Sequence, residues 1–381
     1  MGTLPSGTTV SSAESACTST LGCVGFTFDG PRQGPSPGTV YLKNATAVAT
    51  FLPDPASPWT SYFQVEGPCD ILFQAGTPCV AAYSVVRALY SSYTDPLYAV
   101  LRSTDDAIRN ISTLPSSGAV ANASAQDEFC AGAECVISII YDQSSNGNHL
   151  TVAPQERSGF DLPVNASRFP ISINGFKAYG AFFEPLMGYR CVNTTGIATG
   201  NDPEIMYFVI DGTHYNDQCC FDMGNAGKEP GDYGDGSMEA LYWGSSAVWS
   251  HGFGEGPWCG ADLENGIYYG SSNNGTSSYN PGNMPLHYPF VFAELKGGTD
   301  GYALKAADAT QGKLQTMWDG PRPSSHYQPM QKRGGIILGT GGDNSRAAVG
   351  TFFEGVMTSS YTTDDTDDAL QRNVVSAGYG L

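Results

Sequence analysis

The chain has 381 residues, enough for one large domain and a small one, and its 41% apolar and 12% aromatic content can build a core, which excludes a disordered chain. The net charge is −19 and the 18 lysines and arginines form no basic stripe, so nucleic acid and anionic membrane surfaces are poor partners. No apolar run approaches the ~18–20 residues of a membrane span, and short apolar runs separated by many of the 47 glycines and 24 prolines point to an all-β protein.

Residues 1–20 carry neither the basic start nor the apolar stretch of a signal peptide and read as the start of a mature or trimmed chain. Residues 1–66 differ in character from the rest. Cys17 and Cys23 precede Val24-Gly25-Phe26-Thr27-Phe28, and Val40-Tyr41-Leu42-Lys43-Asn44 follows, a pattern that fits two short strands around a small disulfide. This segment resembles part of a PAN/apple-type module, in which a cysteine precedes a Gly-Phe-aromatic strand and a Tyr-Leu-Lys strand follows. The alternative is a plain N-terminal extension packed on the main domain.

From Gly67 to Leu381 the chain reads as one domain. Val80, Ala81, Val85, Ala88 and Leu89 recur at helical spacing and predict a short amphipathic helix from Cys79 to about Tyr90. Val136–Tyr141 is a β-branched strand running to an Asn146-Gly147 turn. Met206–Ile210, Phe290–Leu295, Gly335–Leu338 and Phe352–Met357 are further strands. The carboxylates of Asp364-Asp365-Thr366-Asp367-Asp368 suit the positive end of a C-terminal helix. Many strands, glycine-rich turns and few helices predict a β-sandwich.

Ten cysteines and six Asn-x-Ser/Thr triplets, at Asn44, Asn110, Asn122, Asn165, Asn193 and Asn274, favour a secreted glycoprotein from an oxidising compartment. Cys219 and Cys220 are adjacent. A bond between them would close a tight ring, because neighbouring Cα atoms are closer than a relaxed disulfide prefers, and such strain marks functional sites. The other reading pairs each cysteine elsewhere or leaves it free.

Three segments offer carboxylates for chemistry. In Trp258-Cys259-Gly260-Ala261-Asp262-Leu263-Glu264-Asn265 the two acids alternate by two, so on a strand they share a face; that face is either a polar cleft or a solvated surface. Gly339-Thr340-Gly341-Gly342-Asp343-Asn344-Ser345 exposes Asp343 at a strand end, as a close-approach loop or an ordinary turn; no Gly-Lys-Ser/Thr follows, so it does not cradle phosphate. Asp232-Tyr233-Gly234-Asp235-Gly236-Ser237-Met238-Glu239 hints at a calcium loop but lacks the EF-hand order, and His214 with Cys219 and Cys220 fits no zinc scheme, so no metal is expected. No Gly-x-Ser-x-Gly elbow is present. Paired acids without metal or histidine leave glycoside hydrolysis as the most compatible chemistry, with no cofactor.

The residues from about Gly67 to Tyr379 resemble the catalytic domain of the fungal α-L-arabinofuranosidases of glycoside hydrolase family 54. The resemblance runs through Gly67-Pro68-Cys69-Asp70-Ile71, Thr77-Pro78-Cys79-Val80-Ala81-Ala82, Arg87–Ser92, Ala125-Gln126-Asp127, Tyr141–Thr151 and Asp211–Asp217. It continues through Cys219-Cys220, Met238-Glu239-Ala240 and the segments of Glu264 and Asp343, in order and at similar spacings. It implies a concanavalin-like (jelly-roll) β-sandwich and a retaining mechanism. Glu264 falls on the family's nucleophile and Asp343 on its general acid/base. Trp249, Asp262, Asn265 and Gly342 fall on positions that hold the arabinofuranose, and Cys219–Cys220 on a vicinal disulfide packed against the sugar.

In a retaining enzyme the two carboxyls lie about 5–5.5 Å apart, Glu264 ionised to attack and Asp343 protonated to donate. With Cys17–Cys23, Cys69–Cys79 and Cys130–Cys135 paired, Cys191 and Cys259 remain; they depart from the family's pattern, and a Cys191–Cys259 bond bracing the pocket rim is expected. The segment from Gly227 to Gly236 also departs. The family usually adds a C-terminal arabinose-binding β-trefoil, whereas this chain stops at Leu381, leaving residues 1–66 as the segment that could anchor polymer. The expected protein is a secreted, monomeric exo-enzyme removing arabinofuranose from plant cell-wall polysaccharide such as arabinan or arabinoxylan. Another furanosidase, for instance on galactofuranose, and a sugar-binding module on the same sandwich are the rivals.

Overall fold

A computed structural model describes residues 2–18, 20, 23, 25–30, 36, 38–43, 58–63, 66–114, 119–154, 161–270 and 278–381. Asn44 and Asn274, two of the six glycosylation triplets, lie outside these. The chain divides into two compact units, Met1–Glu66 and Gly67–Leu381.

In the first unit Thr3–Leu4, Val40–Lys43, Gly25–Asp29 and Trp59–Phe63 form an antiparallel sheet in that order. Helix Val10–Thr18 ends in the Cys17–Cys23 disulfide. Ala13, Phe26, Phe28, Val40 and Leu42 make its small core.

The second unit is a sandwich of two large antiparallel sheets. The eight-stranded sheet runs Phe169–Ile173, Phe176–Phe183, Gly350–Thr358, Glu204–Asp211, Phe290–Gly297, Gly301–Asp308, Gln315–Pro321, with Cys79–Ser84 also paired to Gly350–Thr358. The ten-stranded sheet runs Ile267–Tyr268, Trp258–Asp262, Glu239–Gly244, Asp222–Ala226, Gly335–Leu338, Tyr189–Cys191, Leu150–Val152, Cys135–Ile140, Tyr98–Arg102, Ile108–Ile111. Their facing side chains form one core: Phe221 packs edge-on against Phe183 at 5.5 Å and beside Phe208 at 6.3 Å. Every residue of Glu204–Asp211 and Gly350–Thr358 is buried, so these strands read as continuous runs, as doubly covered strands do.

Three expectations change. Cys79–Ser84 is a strand, not the start of a helix: all six residues are buried, and a short, fully apolar run carries no periodicity that separates the two forms. The helix is earlier, Pro68–Gln74, started by Pro68 in its first turn and by the Asp70 carboxylate, which accepts the Gly67 N–H at 2.8 Å.

Cys191 and Cys259 are free and buried, so the expected bond between them is absent. They stand at the ends of strands Tyr189–Cys191 and Trp258–Asp262, with three strands between. Four inter-strand steps make about 19 Å, against the ~7 Å a disulfide tolerates. The bonds Cys17–Cys23, Cys69–Cys79, Cys130–Cys135 and Cys219–Cys220 are formed.

Third, Glu264 does not continue the alternation of its strand, which ends at Asp262. The C-terminal helix lies where expected, at Asp364–Ser376, with the Thr363 side chain accepting the Thr366 N–H at its start. Among the described residues no helix is long and apolar enough to cross a membrane.

Candidate active site

Strand alternation builds one wall. Phe221 and Met223 point into the sandwich core, so Asp222 emerges on the outer face of the ten-stranded sheet. Pairing of Asp222 with Tyr242, Tyr242 with Gly260, Gly224 with Ala240 and Ala240 with Asp262 puts Asp222 and Asp262 on that same face. Cys220 joins Tyr242, Trp258, Ile267 and Tyr269 in a second apolar cluster there.

Glu264 is delivered by a turn. Asp262 pairs with Ile267, and the Leu263 N–H donates to the Gly266 carbonyl, closing a tight hairpin. Its central residues Glu264 and Asn265 have φ of 62° and 59°, the left-handed conformation of a type I′ turn, in which glycine or asparagine is preferred. A glutamate there costs about 1–2 kcal/mol, the kind of expense found where function needs it. The Asp262 carboxylate accepts the Glu264 N–H at 3.0 Å, which fixes the turn. Glu264 is only 5% exposed and Asp262 6%.

Asp343 comes from the loop after Gly335–Leu338. It is exposed, and its Oδ1 accepts the Ser345 N–H at 2.8 Å and the Ser345 hydroxyl. The buried Arg190 holds this loop from behind, donating to the carbonyls of Gly341 (3.1 Å), Gly342 (2.6 Å) and Gly227 (2.8 Å) and to Asn344 Oδ1 (3.0 Å). The Cys220 N–H donates to the Ser345 carbonyl and the Ala347 N–H to the Cys219 carbonyl, which ties the joined cysteines to the same loop. A Cβ on Gly341 would lie 3.3 Å from Cys220 Sγ and 3.5 Å from Asp343 Oδ1; one on Gly342 would lie 2.6 Å from Glu264 Oε2. Glu264, Asp343 and the disulfide therefore meet at the Gly341-Gly342 turn, where a side chain at Gly342 would displace the Glu264 carboxylate.

The remaining expected residues sit at the edge. Asn265 is exposed, and its Nδ2 donates to Asp235 at 3.0 Å and Asp232 at 3.3 Å. The third carboxylate segment thus lies beside the Glu264 turn. Trp249 is 36% exposed, and the next residue, Ser250, donates to the Ile267 carbonyl just past the Glu264 turn. Cys219, Cys220 and Asp262 bring three donor atoms within 4.8 Å of one another, but joined sulfurs lack the thiolate charge a metal would need. Asp222 and Arg190 were missed from sequence. For Asp222 the signal is an acid placed two residues after the cysteine pair, at the start of a fully buried strand.

Burial dominates the electrostatics. It pushes Glu264 up to about 8, reinforced by Asp262, Asp232 and Asp343. Asp262 is likewise pushed up to about 7, first by burial. Burial among other acids thus disfavours the charged form of Glu264, the form that attack requires.

An acid-lined cleft on the outer face of an antiparallel sandwich, with joined sulfurs and aromatic rings for walls, defines a carbohydrate-active β-sandwich. The chain belongs to the α-L-arabinofuranosidase B catalytic-domain family, whose profile matches residues 68–380. It is 52% identical over 327 residues to the probable α-L-arabinofuranosidase B of Aspergillus fumigatus, covering 84% of this chain and 64% of that protein. It is 52% identical over 322 residues to the α-L-arabinofuranosidase of Hypocrea jecorina, covering 83% and 63%. The chain thus spans just under two thirds of the length of these relatives.

Among solved structures it is similar to an arabinofuranosidase complexed with arabinofuranosyl-α-1,2-xylobiose, with TM-score 0.80, 50% identity, and 83% of this chain and 66% of that one covered. It is also similar to a Glu-to-Gln mutant of a glycoside hydrolase family 54 α-L-arabinofuranosidase soaked with 4-nitrophenyl α-L-arabinofuranoside, with TM-score 0.79, 51% identity, and 82% and 66% covered.

Proposed function

We propose that residues 67–381 are a retaining, exo-acting α-L-arabinofuranosidase that releases terminal arabinofuranose from plant polysaccharide side chains. The observation that carries this is the meeting of Glu264 and Asp343 at one glycine turn, beside the Cys219–Cys220 wall. Family membership supports it, as does the arabinofuranosyl-xylobiose bound in a similar structure.

The Glu264 carboxylate attacks the anomeric carbon while the glycosidic C–O bond breaks, and Asp343 gives its proton to the leaving oxygen. Asp343 then takes a proton from water. The water oxygen attacks the same carbon, and the Glu264 ester bond breaks to return the carboxylate. The reactive form carries the proton on Asp343 and the charge on Glu264. Bringing Glu264 to its charged form in a dry cleft makes it a strong nucleophile. Asp262 and Asn265 accept or donate to sugar hydroxyls, and Trp249 supplies an apolar wall.

Six glycosylation triplets in the sequence, and four disulfides among the described residues, support a secreted glycoprotein. The disulfide-tipped helix and the pairing of Gly25–Asp29 with Val40–Lys43 support a PAN/apple-like reading of residues 1–66.

Glu264→Gln tests the proposal. Hydrolysis of an aryl α-L-arabinofuranoside should fall below detection while the circular dichroism spectrum and melting temperature hold. Normal turnover removes Glu264 from the nucleophile's role, and an inverted anomer in the NMR of the first product removes the retaining mechanism.

A further inference from the structure

Asp222 takes no part in these steps, yet it is fully buried in the cleft wall. Between it and Asp262 the outer face carries only Gly224, Ala240 and Gly260 beside Tyr242, and these small residues let the two carboxyls approach across a strand. No N–H or hydroxyl of the described residues reaches either oxygen of Asp222. The group that faces it from across the strand Glu239–Gly244 is the carboxyl of Asp262. Two carboxylates only accept, so a hydrogen bond between them requires one of them to hold a proton.

The other titratable groups facing Asp222 are Glu264, Asp343 and the phenols of Tyr242 and Tyr269, none of them cationic. Asp262 has another partner: its Oδ1 accepts the Glu264 N–H. The proton therefore belongs on Asp222, which has nothing else to satisfy it.

We propose that Asp222 is a neutral carboxylic acid that donates its O–H to Asp262, and so keeps Asp262 a fixed, charged acceptor for the sugar and for the Glu264 turn. This rests on the reading of the cleft given above. Asp222 is a positioning residue, acting through Asp262 and not touching the sugar. The direction of its titration agrees: burial first, then the charge of Asp262, raise it well above the usual carboxylate range.

Two substitutions separate this role from packing. Asp222→Asn keeps a donor of the same size and should hold kcat/KM within about fivefold. Asp222→Leu keeps the bulk without a donor and should lose about 10- to 100-fold, the worth of one hydrogen bond to a charged group. In Asp222→Leu the activity relative to the parent should climb with pH, because Asp262 must then ionise unaided. A filler of space gives a flat ratio and equal damage from both changes, and either result overturns the proposal.

If Asp222→Leu does not fold, carbon-13 NMR of the full chain labelled at its aspartate carboxyls decides. The resonance missing from Asp222→Asn should keep its neutral-acid shift from pH 5 to 8. Ionisation near the ordinary value of about 4 overturns the proposal. Should Glu264→Gln be inactive while that resonance titrates normally, only the role of Asp222 falls; should Glu264→Gln stay active, the reading of the cleft falls first.

Discussion

Gly342→Ala is the sharpest probe of the cleft, because its steric effect falls on the Glu264 carboxylate. The backbone of Gly342 is not left-handed, so alanine meets no conformational strain. Its Cβ would lie 2.6 Å from Glu264 Oε2 and 2.9 Å from Met238 Sδ, where ordinary contact begins at 3.4 Å. Both atoms end flexible side chains, so the fold can yield: the cost in stability should be about 1 kcal/mol, the low end for an overpacked site. Catalysis cannot yield in the same way. The Glu264 oxygen must retreat by about 0.8 Å, and a misplacement near 1 Å costs ~100-fold, or ~2.7 kcal/mol of barrier.

Gly341→Ala is the control, since its closest contacts are 3.2–3.5 Å, and its loss should be under about fivefold. Initial rates on an aryl α-L-arabinofuranoside, read beside urea unfolding curves, test both. A Gly342→Ala enzyme with kcat within twofold of the parent, or one that loses activity only because it unfolds, refutes the placement of Glu264 against this turn.

Two predictions concern stability. Asp367 accepts the ammonium groups of Lys296 and Lys305, each at 2.6 Å, beneath the C-terminal helix; Lys305 also pairs with Asp364 at 2.6 Å, so Asp367→Asn leaves the buried Lys296 with only the exposed Asp364 at 3.7 Å and should cost about 3 kcal/mol in chemical unfolding; a loss under 1 kcal/mol contradicts this pairing. For pH, Glu264 is raised to about 8, so between roughly pH 4.5 and 8 the folded chain holds a proton the unfolded chain has released, and stability falls as pH rises. Glu239, buried but held down to about 2 by Arg322 and Lys332, acts oppositely: its contribution is lost as pH falls from about 4.5 toward 2. Melting temperature should therefore peak near pH 4–5, and Glu264→Gln should flatten the alkaline decline; a melting temperature that climbs from pH 5 to 8 refutes the assignment.

Composition and turn chemistry were enough to reveal the sandwich, because glycine-punctuated β-branched runs such as Val136–Tyr141 and Gly335–Leu338 leave little choice of secondary structure. The C-terminal helix was equally legible, since its acids and Thr363 cap act locally. Cys79–Ser84 was misread because burial on all sides erases the period that distinguishes strand from helix. The Cys191–Cys259 bond was misread because pairing by elimination ignores the three strands that separate the two thiols.

The same division holds at the cleft. The sequence by itself determined that Glu264, Asp343 and the adjacent cysteines were the groups to watch, since their residue types and motif order are carried along the chain. Only the tertiary structure decided how they meet: a left-handed turn, not strand alternation, turns Glu264 toward the Gly341-Gly342 loop, and Arg190 fixes that loop from a distant strand. It also drew Asp222 against Asp262, and withdrew water from Glu264 until its proton became hard to remove. Strand register and desolvation depend on residues far apart in the chain, and no local pattern encodes them.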